Sequence, residues 1–449
     1  MFIPHSPAEK QEMLKEIGLG RIEELFKDIP AEYRFPKLDL PAPLSEMEAL
    51  QNVHAIASKN RSTDDLICFL GAGSYKHYIP AAIDGLIGRN EFYTAYTPYQ
   101  PEISQGTLQA VFEYQSLMAA LTGMEVCNAS HYDGATAVAE AGVMAYHHFR
   151  GTRPQILYAP SVHPQYIETL KTYMSGNKDV HVLTARNNKD VFLRPEGLIA
   201  ELNDKTSLVI VQYPDFFGRI FDLASLAQAV HAVGALFCVV INPIALGLFK
   251  APGEYGADIV VGEGQPLGIP LSFGGPYLGI FATRKELVRK ISGRLVGETV
   301  DGKGQKGYVL TLAVREQHIK REKATSNICT NEGLMALTAA IYISLVGKQG
   351  LKQVAELCYH KAHYACGLVA KLKGFITLTD EPFFNEFVIK CPDSVEDINK
   401  KLLKKGILGG FDLGGFYPEL KNHMLLAVTE MNTREDIDLL VSTLKGEQP

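Results

Sequence analysis

The sequence predicts an α/β protein, with a mostly parallel, doubly wound sheet in a large domain and a smaller α/β domain at the C-terminal end. Three observations carry that expectation. Between residues 155 and 241, short near-continuous apolar runs alternate with helical patterns, and strands apolar on both faces belong to a sheet covered on both sides. The runs are separated by Gly, Pro and Asn, which punctuate rather than extend them. The 449 residues, 46% hydrophobic and 21% charged, suffice for a large core and two or three domains. The expected division is a helical arm over 1–62, a large domain over 63–340 and a small domain over 341–449.

In the arm, Ser6 caps a helix over 8–17 with Pro7 in its first turn, and Gly18 stops it. A second helix over 21–29 ends at Pro30, and a Pro-spotted extended stretch runs to Pro43. Ser45 and Glu48 form a capping box for a helix over 46–58. Such an arm wraps a partner or its own large domain, or simply covers surface.

The run over 66–70 ends in Gly71-Ala72-Gly73-Ser74, a turn whose backbone N–H groups can cradle an anion. It lacks the third glycine of a dinucleotide fingerprint, and no P-loop follows. The stretch TAYTPYQPEISQG over 94–106 is a stiff loop that presents Tyr96, Tyr99, Gln100 and Glu102 for binding, or tucks its tyrosines into a core edge. A helix follows, with Leu108, Val111, Phe112, Met118 and Leu121 on one side and Gly123 at its end. NASHYDGAT over 128–136 then opens an alanine-rich helix over 135–149.

Next come strands over 155–159, 180–184, 207–213 and 235–241, with helices over 162–174, 195–203 and 223–233 between them. Ligands of such sheets sit beyond the strand C-termini. Strands over 258–261 and 277–282 bracket a Gly- and Pro-rich loop containing Gly264-Gln265, Ile269-Pro270 and Gly274-Gly275-Pro276. The most charged motif, VREQHIKREKATSNICT over 314–330, places Arg315, His318 and Arg321 either on a solvated face or in an interface or carboxylate-binding patch. The C-terminal region predicts helices over 332–346, 352–372, 395–404 and 434–444, with strands over 376–378, 386–390 and 425–429.

Several function classes are excluded or disfavoured. A net charge of -6 with both signs interspersed gives no electrostatic case for nucleic acid. The longest apolar stretch, over 235–249, is broken by Asn242-Pro243 and is too short for a membrane span. No signal peptide is visible at the N-terminus. Seven widely spaced cysteines fit a reducing cytosol, so a cytoplasmic protein is expected. Cys358, His360, His363 and Cys366 fan over half a helix circumference and cannot close one tetrahedral metal site.

TPYQPE, the Gly-Gly-Pro turn and REQHIKREKATSNICT together resemble the cofactor-free half of the glycine decarboxylase family, the P-protein of the glycine cleavage system. The resemblance covers essentially the whole chain. It implies the fold type I architecture of pyridoxal-phosphate (PLP) transferases and the role of the first subunit in a two-subunit enzyme, a heterotetramer. In the cofactor-bearing half a His-Lys pair precedes the Ile-Pro, and its lysine holds PLP. Here Gln265 takes the lysine's place, and an amide nitrogen cannot form a Schiff base.

By the same resemblance, the turn at Gly134, Ala135 and Thr136 would hold the cofactor phosphate, His163 would stack on its ring, and Asn242 stands near where an aspartate would meet the ring nitrogen. These are read as a vestigial cofactor site, either empty or holding an adventitious anion. The family decarboxylates glycine on PLP and passes the aminomethyl group to the lipoyl group of H-protein. The expected partners are therefore a PLP-bearing second subunit, H-protein and glycine, with no catalytic residue on this chain. Tyr96, Tyr99, Gln100, Glu102, Arg315, His318 and Arg321 are the substrate-site or interface candidates. The alternatives are a stand-alone PLP enzyme using another lysine, such as Lys76, and a non-catalytic scaffold or regulatory pseudoenzyme.

Overall fold

The computed structural model describes residues 5–94, 97–185, 190–326, 328 and 332–446, with Arg315 described by its backbone alone. The chain divides into two compact units, residues 1–61 and 62–449. In the first, helices Pro7–Glu16 and Glu46–Ala57 each begin with a serine capping box, Ser6 with Glu9 and Ser45 with Glu48. The helix expected over 21–29 is instead a 3-10 turn, Ile22–Phe26, which starts at Arg21 without a side-chain cap. Helix Glu46–Ala57 carries Met47, Leu50, Val53 and Ile56 in one row, each 64–65% exposed.

The second unit is built on a seven-stranded sheet. Its strands are β1 (Val126–Cys127), β2 (Gln155–Tyr158), β3 (His181–Leu183), β4 (Thr206–Tyr213), β5 (Leu236–Ile241), β6 (Ile259–Glu263) and β7 (Gly279–Thr283), in the spatial order β1-β7-β6-β5-β4-β2-β3. The five strands from β3 to β6 in that order pair in parallel, while β7 runs antiparallel to both β6 and β1. Leu208, Val209 and Ile210 of β4 and Phe237, Cys238 and Val239 of β5 are fully buried, as a sheet covered on both faces requires.

Helices α1 (Gln105–Thr122), α2 (Gly134–His148), α3 (Pro164–Met174) and α4 (Ala224–Ala232) supply that cover. The helix expected over 195–203 is a 3-10 segment, Pro195–Glu201, weakened by Gly197 within it. An antiparallel hairpin, Leu295–Val300 with Lys306–Thr311, is present that the sequence pattern did not announce.

Helix α5 (Gly333–Val369) is broken at Gly347, whose φ is 60°, close to the interruption expected from sequence. By length and composition α5 is apolar enough to cross a membrane. Here, however, its Ala336, Ala339, Tyr342, Ala355 and Cys358 belong to the core of the large sheet. From Ala362 onward its buried residues join a second core. That core lies under a four-stranded antiparallel sheet, β8 (Ile376–Leu378), β9 (Glu386–Lys390), β10 (Phe411–Asp412) and β11 (His423–Ala427), in the order β8-β9-β11-β10. Helices α6 (Val395–Lys404) and α7 (Arg434–Lys445) cover it. The two cores thus meet within α5 between Cys358 and Ala362, and Phe69 belongs to the second.

Candidate functional site

Beyond the C-terminal ends of β2, β4, β5 and β6 lies a pocket lined by Tyr75, His163, Tyr166, Asn242, Glu263 and Glu386, among others. This is where a doubly wound sheet places a ligand. Its volume is about 20 Å³, room for one water but far below the roughly 300 Å³ of a small-molecule pocket.

Gln265 follows β6 by two residues and is 2% exposed. Its Oε1 accepts from the Tyr75 N–H at 2.9 Å, and its Nε2 donates to the carbonyls of Tyr75 at 2.9 Å and Ile269 at 2.8 Å. It is a structural amide with both ends engaged. Glu263, the last residue of β6, turns its carboxyl group onto the start of α2. Oε2 accepts from the Gly134 N–H at 3.0 Å, and Oε1 accepts from Gln265 at 2.9 Å and Leu278 at 3.4 Å. Burial pushes this carboxyl group up to about 8, although the three N–H donors pull the other way.

Next along that helix start, Asp133 and Thr136 cap one another. Asp133 Oδ1 accepts from the Thr136 N–H at 2.7 Å, and Thr136 Oγ1 accepts from the Asp133 N–H at 3.1 Å. Ala135, half-buried, sits between the two.

His163, just before α3, stacks on Tyr166 with ring centroids 4.4 Å apart and planes 12° apart. Burial lowers its pKa to about 4, so the ring is neutral, and Nε2 donates to the Ala72 carbonyl at 3.0 Å. Gly73, at φ +103°, permits this approach, since a Cβ there would lie 2.9 Å from the His163 Nε2. From β9, Glu386 accepts from the Ala72 N–H and the Tyr75 hydroxyl, both at 2.7 Å, and burial raises it to about 7. Asn242 Oδ1 accepts from the Ile244 N–H at 3.0 Å, and it brings no carboxylate to the pocket.

A second constellation joins the Tyr99 loop to the charged motif through Arg294. The Arg294 guanidinium donates to the Tyr99 hydroxyl at 2.6 Å and pairs with Glu316 at 3.0 Å, and it lies 5.2 Å from the centre of the Tyr99 ring. Tyr99 meets His318 edge-on at 5.8 Å. Arg294 and Glu316 are 5% and 8% exposed, whereas Tyr99 is 49% exposed. Gln100, Glu102 and Arg321 are exposed on the flanking turns. Tyr96 and the side chain of Arg315 lie outside the described residues. Nearby, Phe92, Pro98, Val111, Pro276, Glu332 and Met335 line an open, mostly apolar cleft of about 480 Å³.

The model of the glycine cleavage system P-protein family matches residues 1–444. The chain belongs to that family. Among P-protein relatives, it is 54% identical over 99% of both chains to a probable glycine dehydrogenase (decarboxylating) subunit 1 of Thermomicrobium roseum. It is 52% identical, again over 99% of both, to the protein of the same name from Desulforamulus reducens. A crystal structure of glycine decarboxylase (P-protein) of the glycine cleavage system, in inhibitor-bound form, superposes with a TM-score of 0.90 at 41% identity over 99% of both chains. A sphingosine-1-phosphate lyase from Burkholderia pseudomallei, 13% identical with a TM-score of 0.64, shares the fold alone. The architecture is that of the fold type I PLP enzymes.

Set against that fold, the pocket does not fit PLP. None of its lining residues is a lysine, and its volume is too small. At the turn where the cofactor phosphate was expected, the Gly134 N–H donates to Glu263. Lys76, the alternative Schiff-base lysine, donates to Asp64 at 3.1 Å and to the Thr63 carbonyl, and it lines a different cleft.

The four residues that suggested a metal do not share one site. Cys358 donates to Glu430 at 3.4 Å, His363 stacks on Phe383 at 3.9 Å, and Cys366 lies in the second core. Sequence reasoning missed Arg294, Tyr166, Glu263 and Glu386. The readable signals were an acid ending a buried strand at Glu263 and a tyrosine one turn after His163.

Proposed function

We propose that this chain is the cofactor-free subunit 1 of a two-chain glycine dehydrogenase (decarboxylating) that acts in glycine cleavage in the cytoplasm. The PLP-bearing chain is the second subunit, the assembly is a heterotetramer, and glycine and the lipoyl H-protein are its substrate and carrier. The observation that carries this reading is Gln265, a fully bonded amide standing where the family's lysine would be. When bound to the second subunit, PLP supplies the electron sink for decarboxylation.

This chain supplies surface. Near Tyr99 and Glu316 in the chain it exposes Tyr93, Ile103, Val314 and Ile319, and its arm exposes the row on helix Glu46–Ala57. Apolar groups in such number at a polar rim suit a permanent partner. The buried Arg294–Glu316 pair fixes the Tyr99 loop, so that Tyr99, Gln100, Glu102, His318 and Arg321 face the second subunit and border its glycine site and carrier entry.

The test is reconstitution. Each chain is assayed alone and together for glycine-dependent carbon dioxide release with lipoyl H-protein. Activity only in the mixture is the expected result. Full activity of the second chain alone, or a stoichiometric borohydride-trapped adduct on one lysine of this chain, would overturn the reading.

A further inference from the structure

We propose that this chain seals its own cofactor pocket with stand-in side chains: the Tyr166 ring lies against His163 where a cofactor ring would stack, and the Glu263 carboxyl group sits on the start of α2 where a phosphate would bind. The proposal rests on the reading above only in taking PLP to be held elsewhere.

Three features converge on it. A helix N-terminus offers N–H groups and a favourable dipole to an anion, and at α2 the Gly134 donor already points at Glu263. Tyr166 runs from the face of His163 to that same helix start. A Cβ on Gly134 would lie 2.7 Å from the Tyr166 hydroxyl, so only glycine leaves it room. The other N–H cradle anticipated from sequence, the Gly71–Ser74 turn, is likewise engaged by a carboxyl group of the chain, that of Glu386 on Ala72. With about 20 Å³ left over, neither carboxyl group has a free volume to move into. Restoring the lysine therefore does not restore the cofactor.

The experiment has two arms, both on the full chain alone. In the first, Gln265→Lys is incubated with PLP, reduced with borohydride and mapped by mass spectrometry, with no adduct at position 265 expected. Because a buried lysine can prevent folding, the second arm uses Glu263→Ala and the double variant Glu263→Ala/Tyr166→Ala. Their melting temperatures are followed with inorganic phosphate and with pyridoxine phosphate, which has no aldehyde and cannot label surface lysines.

The wild-type midpoint should not move. Glu263→Ala should rise by about 2 °C with phosphate at tenfold its Kd, and the double variant should respond more to pyridoxine phosphate than to phosphate. A saturable wild-type response, an adduct at position 265 in Gln265→Lys, or variants that answer neither ligand would overturn the proposal. Reconstituted turnover plays no part in either arm, so a failure here and a failure of the two-chain reading are separately visible.

Discussion

Replacing Glu263 by Gln should change how stability depends on pH, and the sign follows from burial. The Glu263 carboxyl group titrates at about 8 in the folded chain, against an ordinary value of 4.5. Between those values the native state holds a proton that the unfolded chain has released, so stability falls as pH rises, by about 1.4 kcal/mol per pH unit. From pH 5.5 to 7.5 the wild type should therefore lose about 3 kcal/mol relative to Glu263→Gln, which keeps a carbonyl acceptor for the Gly134 N–H and cannot titrate.

Glu386 and Glu332, each raised to about 7 by burial, tilt both curves the same way and cancel in the difference. Urea midpoints at pH 5.5, 6.5 and 7.5, followed by circular dichroism, measure it. Parallel curves, or a wild type that gains on the variant as pH rises, would refute the reasoning. They would mean that the N–H donors at α2 outweigh burial and hold Glu263 charged throughout.

Three further outcomes follow from the same contacts. Arg294→Ala leaves Glu316 buried without its partner and should cost about 3–5 kcal/mol in urea unfolding, with Arg294→Lys losing less; a midpoint unchanged by Arg294→Ala would show that the pair holds nothing. Tyr99→Phe removes one hydrogen bond at a half-exposed site, for about 1 kcal/mol of stability, while glycine turnover by the reconstituted enzyme should fall several-fold; normal turnover would detach this loop from the partner's site. Gly73→Ala meets both a forbidden φ and the His163 ring and should cost about 2 kcal/mol or more. By freeing His163 it should also move the imidazole titration, seen by NMR, upward from about 4.

How far the sequence could be read follows from how local each feature is. The parallel sheet was legible because β4 and β5 are apolar at nearly every position, a pattern that needs no knowledge of neighbours. The hairpin over 295–311 was not, although Asp301, Gly302 and Gly304 mark its turn, because Glu298, Thr299 and Val300 all face solvent and blur the alternation. Gln265 was legible because the absence of an amine is a property of one residue. The groups that close the pocket are properties of pairs distant in sequence: Glu263 lies 129 residues from Gly134, Glu386 lies 314 from Ala72, and Arg294 lies 195 from Tyr99.

The pairing of Gln265 with buried acids has a physical cause beyond coincidence. A fold that hosts a phosphate presents inward-pointing N–H groups, and a buried donor left without an acceptor costs about 1–3 kcal/mol. In this chain the N–H groups of Gly134, Gln265, Leu278 and Ala72 and the hydroxyl of Tyr75 all end on the four oxygens of Glu263 and Glu386. Two carboxyl groups thus satisfy donors that would otherwise need an anion, while burial raises the pKa of both. A chain of this fold with an amide at position 265 but no acid at 263 or 386 would keep its donors unsatisfied, and it should then still take up phosphate.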